Sequence, residues 1–176
     1  MIIFIREKII YNKSYAYLVT TRWDKRSKKV KQKVSKYLGK IIKLEKVRNI
    51  DFSDYFKEIN DIEEYAKKTP LEDIIQNLVE IELYRCGFNK NENEKTNMSN
   101  GNIEIDISKI NNINGVFSLN EGFLAKETLK QILRYEDIFK KSEKKYAFDF
   151  AALFVNAGLN IDKELFIYLY KRFFPQ

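Results

Sequence analysis

MIIFIREKIIYNKSYAYLVTTRWDKRSKKVKQKVSKYLGKIIKLEK, residues 1–46, is the stretch whose reading decides the fold. It holds three runs rich in β-branched and aromatic residues, joined by short polar connections. This pattern predicts the strands of an antiparallel meander. The first run goes from Ile2 to Ile10. Asn12-Lys13-Ser14 follows as a turn, and then Tyr15 to Trp23 (YAYLVTTRW), the clearest strand in the chain. Asp24 to Lys28 is a polar connection with turn formers at its ends. From Val30 to Leu38 the residues alternate. Alternation places Val30, Gln32, Val34, Lys36 and Leu38 on one face and Lys31, Lys33, Ser35 and Tyr37 on the other. Gly39 closes the unit.

The same stretch holds the positive charge. Up to Arg48 there are fifteen cations, opposed only by Glu7, Asp24 and Glu45; the remaining residues carry 17 cations and 22 anions. The formal net charge of +7 therefore hides a strongly basic module joined to a mildly acidic body. Such asymmetry points to a polyanion partner. Lys29, Lys31 and Lys33 form a row in which every second residue is about 6.6 Å from the last. Arg22, Lys25, Arg26 and Lys28 crowd the adjacent tip, with Lys36 and Lys40 further along the strand. Gln32 and Arg22 suit base edges; Tyr17, Trp23 and Tyr37 suit stacking on sugars or unpaired bases. The competing reading is a solvated sheet whose lysines guard an open edge. Arginine, glutamine and aromatics interleaved with the lysines favour nucleic acid.

The residues Tyr15, Tyr17, Leu18, Val19, Arg22 and Trp23, followed by Lys31, Gln32, Lys33, Tyr37, Leu38, Gly39 and Lys40, carry a resemblance. A tyrosine-rich strand through Y-L-V, a turn, and a basic strand ending Y-L-G-K resembles the N-terminal segment of insertion-sequence transposases of the DDE class. The resemblance covers about a quarter of the chain and implies a DNA-contacting hairpin. It does not extend to the ribonuclease-H-like catalytic domain of that family, so no catalytic residue is carried over.

Beyond a connector at 43–50, residues 51–68 (DFSDYFKEINDIEEYAKK) read as one helix, with Phe52, Tyr55, Phe56, Ile59 and Ile62 at helical spacing. Thr69-Pro70-Leu71-Glu72 reads as a capping box with proline at the first helical position. It opens a helix to about Cys86, with Gly87 as its stop. Residues 89–102 (NKNENEKTNMSNGN) have no apolar periodicity and read as a polar linker or loop. The expected organisation is a basic meander at 1–46, a two-helix segment at 47–88, that linker, and a domain at 103–176. The last contains a short β-hairpin, from Ile103 to Ile107 and from Val116 to Leu119, and three helices. These start at Gly122, at Glu143 behind a Ser142 cap, and at Asp162, with Gly158 stopping the second. The fold class is α+β.

Several functional classes recede. The chain has no histidine, which removes the commonest general base and zinc ligand; its one cysteine, Cys86, forms no intramolecular disulfide and reads as a buried helix-end residue. No apolar run reaches the roughly 20 residues of a membrane span, and a cytoplasmic setting is expected. Acidic pairs such as Asp61 with Glu64, or Glu104 with Asp106, read as solvated charges rather than metal ligands; no metal or cofactor is expected. Lys126, Lys130 and Arg134 recur every four residues and form a secondary basic stripe, either a helix-turn-helix contact or an ordinary solvent face. The aromatic C-terminal helices read as core, with a homodimer face as the alternative. The expected function is a small non-catalytic DNA-binding protein. An RNA-binding accessory protein and a metal-dependent nuclease are the alternatives.

Overall fold

A computed structural model describes residues 2–91, 94–135 and 146–174. The meander forms as β1 (Ile2–Ile10), β2 (Lys13–Asp24) and β3 (Lys29–Lys43), paired antiparallel in that order. The β1–β2 turn is tighter than expected. Ile10 pairs with Lys13, and Tyr11 and Asn12 between them both take positive φ, 46° and 59°. A two-residue turn of that kind matches the right-handed twist of its strands.

Among the described residues the α-helices are α1 (Phe52–Tyr55), α2 (Ile62–Lys68), α3 (Leu71–Arg85), α4 (Lys126–Leu133), α5 (Tyr146–Asn156) and α6 (Lys163–Phe173). The single helix expected over 51–68 is broken. The Asp61 side chain accepts from the Glu64 backbone N–H at 2.9 Å and starts a second helix. An aspartate that satisfies a free N–H in this way competes with continuation of the first helix. The capping box at Thr69 does not form either. Pro70 occupies the cap of α3 without a side-chain bond, and Arg172 donates to the carbonyls of Ala66 and Thr69 at 2.7 Å. Both predicted glycine stops hold. Gly87 N–H reaches the Tyr84 carbonyl and Phe88 N–H that of Leu83; Gly158 and Leu159 repeat the pattern on Val155 and Phe154. The Ser142 cap and the helix start at Glu143 lie outside the described residues.

The largest departure is at 89–102. The polar stretch is not a linker but contributes β4 (Asn89–Asn91) and β5 (Glu94–Asn100). With β6 (Ile103–Asp106) they make a second, three-stranded antiparallel sheet. Met98 is its apolar anchor, fully buried opposite Ile105. The strand expected at Val116–Leu119 forms as β7 but does not pair with β6. It lies parallel to the end of β3 and antiparallel to β8 (Gly122–Leu124), completing a five-stranded sheet of order β1-β2-β3-β7-β8. Residues 122–124, expected to open a helix, are thus strand.

The core is gathered around α3, in which Ile74, Ile75, Leu78, Val79, Ile81 and Leu83 are fully buried. Phe117 and Leu124 of the main sheet, Phe150 and Phe154 of α5 and Leu165 and Leu169 of α6 pack into the same cluster. Of the C-terminal aromatics, Phe150 and Phe154 are buried, while Phe166, Tyr168, Tyr170, Phe173 and Phe174 pack against the core but stay partly exposed. Phe150 contacts Phe154, Phe166 and Phe173 with ring centroids 5.1–6.0 Å apart, while Phe148 faces solvent. Cys86 is buried, which pushes its thiol pKa up. Among the described residues no helix is long and apolar enough to cross a membrane.

Gly122 is where β8 meets the end of α5. A methyl group there would stand 2.0 Å from the Val155 carbonyl oxygen and 2.4 Å from the Gly158 nitrogen. Gly122→Ala is expected to destabilise by more than about 3 kcal/mol in urea denaturation. Gly101→Ala serves as a control: its φ is +58° and the space around it is open, so only the backbone penalty of about 1–2 kcal/mol applies. Equal losses in the two variants would refute the close approach.

Candidate nucleic-acid interface

The β2–β3 hairpin leaves the body of the molecule. On β3 every residue from Lys29 to Tyr37 is exposed. A strand buried on one face alternates in exposure; nine successive exposed residues mean that both faces meet solvent. Strand β1 supports this arm as far as the Ile2–Thr21 pairing, beyond which it is two-stranded. At the base, Ile5, Ala16, Ile41, Val116 and Ala125 form a small apolar cluster that seats it on the body.

Two bulges in β3 redistribute its side chains. Leu38 and Ser35 are extra residues, so Tyr37 pairs with Tyr17, Lys36 with Leu18 and Val34 with Val19. Simple alternation predicts Lys36 beside Val34, and Tyr37 beside Lys33; both assignments are reversed. The Tyr37 ring lies 5.3 Å from that of Tyr17 and 6.2 Å from that of Tyr15. Lys36 instead points to the body and bonds Glu127 of α4 at 3.0 Å.

The expected contact residues therefore fall into two groups. Cross-strand partners share a face, and one face of the arm carries Tyr17, Trp23, Gln32, Tyr37 and Lys40. The other carries Arg22, Lys29, Lys31, Lys33 and Lys36. Lys25, Arg26 and Lys28 form the tip between them, exposed to solvent. Two residues absent from the sequence-based selection join the aromatic face through β1. Arg6 pairs with Tyr17, bonds Gln32 across the sheet and sits 5.7 Å from the Phe4 ring; Lys8 pairs with Tyr15. The signal for them was the alternation Phe4, Arg6, Lys8 in the first strand.

The tip is organised by one carboxylate. Asp24 accepts from the Arg26 backbone N–H at 3.1 Å and from the Ser27 hydroxyl at 2.9 Å, and pairs with Lys31. Other cations are also engaged. Lys43 lies 4.0 Å from Glu7, and Lys46 3.7 Å from the buried carboxylate of Glu82. Arg48 donates to the carbonyls of Tyr84 and Phe88, clamping the connector to the end of α3. Arg22, Lys25, Arg26, Lys28, Lys29 and Lys33 remain exposed and have no ion pair among the described residues. The secondary stripe lies on α4, with Lys126 and Lys130 half-buried and Arg134 exposed at its end. Three of the four residues in the two acidic pairs have local partners, and Glu104 is exposed. Asp61 caps α2, Glu64 pairs with Lys68, and Asp106 bonds Ser108 and Lys109. No cluster of three or more potential metal-ligating side chains occurs among the described residues.

No protein-family model, curated protein or solved structure matches the chain, so the transposase resemblance gains no support from these comparisons.

The Lys31 ammonium, then the Ser27 hydroxyl and the Arg26 amide, hold the Asp24 carboxyl below its ordinary 3.8. A depressed folded pKa contributes order above the unfolded value and loses it as pH falls through the folded one. An NMR titration of the Arg26 amide should therefore show a midpoint below 3.8, and Lys31→Ala should raise it. A midpoint at or above the ordinary value, unmoved by that variant, would contradict this tip geometry.

Proposed function

We propose that the protein is a small, non-catalytic DNA-binding protein that uses its N-terminal arm as the contact. One observation carries this reading: a strand pair projects from the body with six cations on and beside its tip, Arg22, Lys25, Arg26, Lys28, Lys29 and Lys33, that have no ion pair among the described residues. Cations held in this way displace condensed counterions from a polyphosphate, and the entropy of their release drives association. Structural roles account for Lys46 and Arg48, so the binding charge is concentrated on the arm rather than spread over the first 48 residues. The acidic balance of the body keeps it away from phosphate, which orients the molecule with its arm forward.

Fluorescence anisotropy with a labelled oligonucleotide tests this. If the six cations each engage a phosphate, affinity should fall about 10³-fold between roughly 50 and 200 mM salt. Lys25→Glu with Arg26→Glu reverses two tip charges and should weaken binding and flatten the salt dependence by about one unit of slope per lost contact. Salt-indifferent binding, or full affinity in the double variant, would rule out the arm as the contact.

A further inference from the structure

The two faces of the arm are chemically unlike, and one of them is built for something other than phosphate alone. On the aromatic face, Tyr15, Tyr17 and Tyr37 cluster, with Val34, Trp23 and Val30 continuing toward the tip. Tyr37, Trp23, Val34 and Val30 are 54–59% exposed. Large apolar side chains left in water at adjacent positions mark a surface that meets a partner. Arg6, Lys8 and Lys40 flank the tyrosines on this face.

Carboxylates sort the other way. Glu7 and Asp24 both lie on the lysine face, where they approach Lys43 and Lys31, and Glu127 of the body takes Lys36. Strands β1 to β3 therefore place no acidic side chain on the aromatic face. The lysine face is partly neutralised and keeps Arg22, Lys29 and Lys33 without an ion pair, whereas the aromatic face sets Arg6, Lys8 and Lys40 beside open rings with no carboxylate among them.

That combination fits unpaired bases. In a duplex the base faces are already stacked on one another and only phosphates and groove edges are offered. A single strand offers π-faces to the rings and phosphates to the flanking cations. Resting on the reading that the arm contacts nucleic acid, we infer that its target is single-stranded. Bases stack over Tyr17, Tyr37 and Trp23, and Arg6, Lys8 and Lys40 hold the backbone.

The chain has one tryptophan, and Trp23 lies on this face, so intrinsic fluorescence reports the contact directly. Oligo(dT) and oligo(U) should quench it, whereas a duplex of equal length should bind more weakly with little quenching. Tyr37→Ala should weaken single-strand binding roughly 5- to 150-fold, the effect of one lost stacking partner. Tyr37→Phe, which keeps the ring, should bind as the parent does. Lys33→Glu, on the opposite face, should cost less than Lys40→Glu. Tighter duplex binding that is insensitive to Tyr37→Ala and abolished by Lys33→Glu would overturn the inference and leave the arm as a DNA contact. So would a dimer in the absence of nucleic acid that Tyr37→Ala dissociates. Failure to bind any of the three probes would overturn the DNA-binding reading as well.

Discussion

Everything about the arm depends on three residue pairs at the end of β3. Ile41, Ile42 and Lys43 lie parallel to Val116, Phe117 and Ser118, and the Leu44 N–H continues the ladder to the Ser118 carbonyl at 2.9 Å. One strand of 15 residues thus belongs to two environments. Its last residues are sheet in a packed body, with Ile41 and Val116 buried together, and its first nine stand in water. A hairpin of two strands is marginal by itself. Here its base is fixed by a ladder that the body already maintains, and β1 extends the support along half its length. The arm is therefore a continuation of the core sheet rather than an appendage on a tether.

The connector after β3 is held with equal care. The guanidinium of Arg85 pairs with the fully buried Glu82 at 2.5 Å and donates to the Ile50 carbonyl from two nitrogens. The second oxygen of Glu82 accepts from Asn120, which also reaches the Gly158 carbonyl. A buried carboxylate is tolerated only when its acceptor sites are filled. Glu82 meets that condition with groups from α3, the loop after β7 and the connector. The same network ties together the segment leaving the arm, the central helix and the stop of α5. Removing either partner of the pair would strand a charge in the core.

Much of this architecture was legible in the sequence, for local reasons. The meander declared itself through period-two patterning and turn residues, α3 and α6 through helical periodicity, and the ends of α3 and α5 through Gly87 and Gly158. What escaped was set by distant pairing. The run 89–100 carries one buried apolar side chain, Met98, and becomes strand because β6 provides the partner. The parallel β3–β7 pairing joins segments with no mutual signature. In the candidate site the residue types were readable, and their faces were not. Two inserted residues, Ser35 and Leu38, move Lys36 and Tyr37 to opposite sides, and nothing in a single strand's alternation announces a bulge.

Those bulges also break the regularity of the arm's open edge. Among the described residues the outer edge of β3 has no strand neighbour between Lys29 and Lys40, and an open, regular edge invites pairing with another chain. Two irregularities and a lysine at every second position near the tip interrupt that template. The arm still needs cohesion without a core. Its pairs supply it on the aromatic face: Tyr17 against Tyr37, Val19 covered between Phe4 and Val34, Arg6 bridging to Gln32. Val19, paired with Phe4 and Val34, is fully buried and belongs to neither core cluster. The rings that hold the strands together are thus the ones left facing water. A surface that must be apolar for the arm to exist, and cannot be covered by the body, is available to a flat π-face at little further energetic cost.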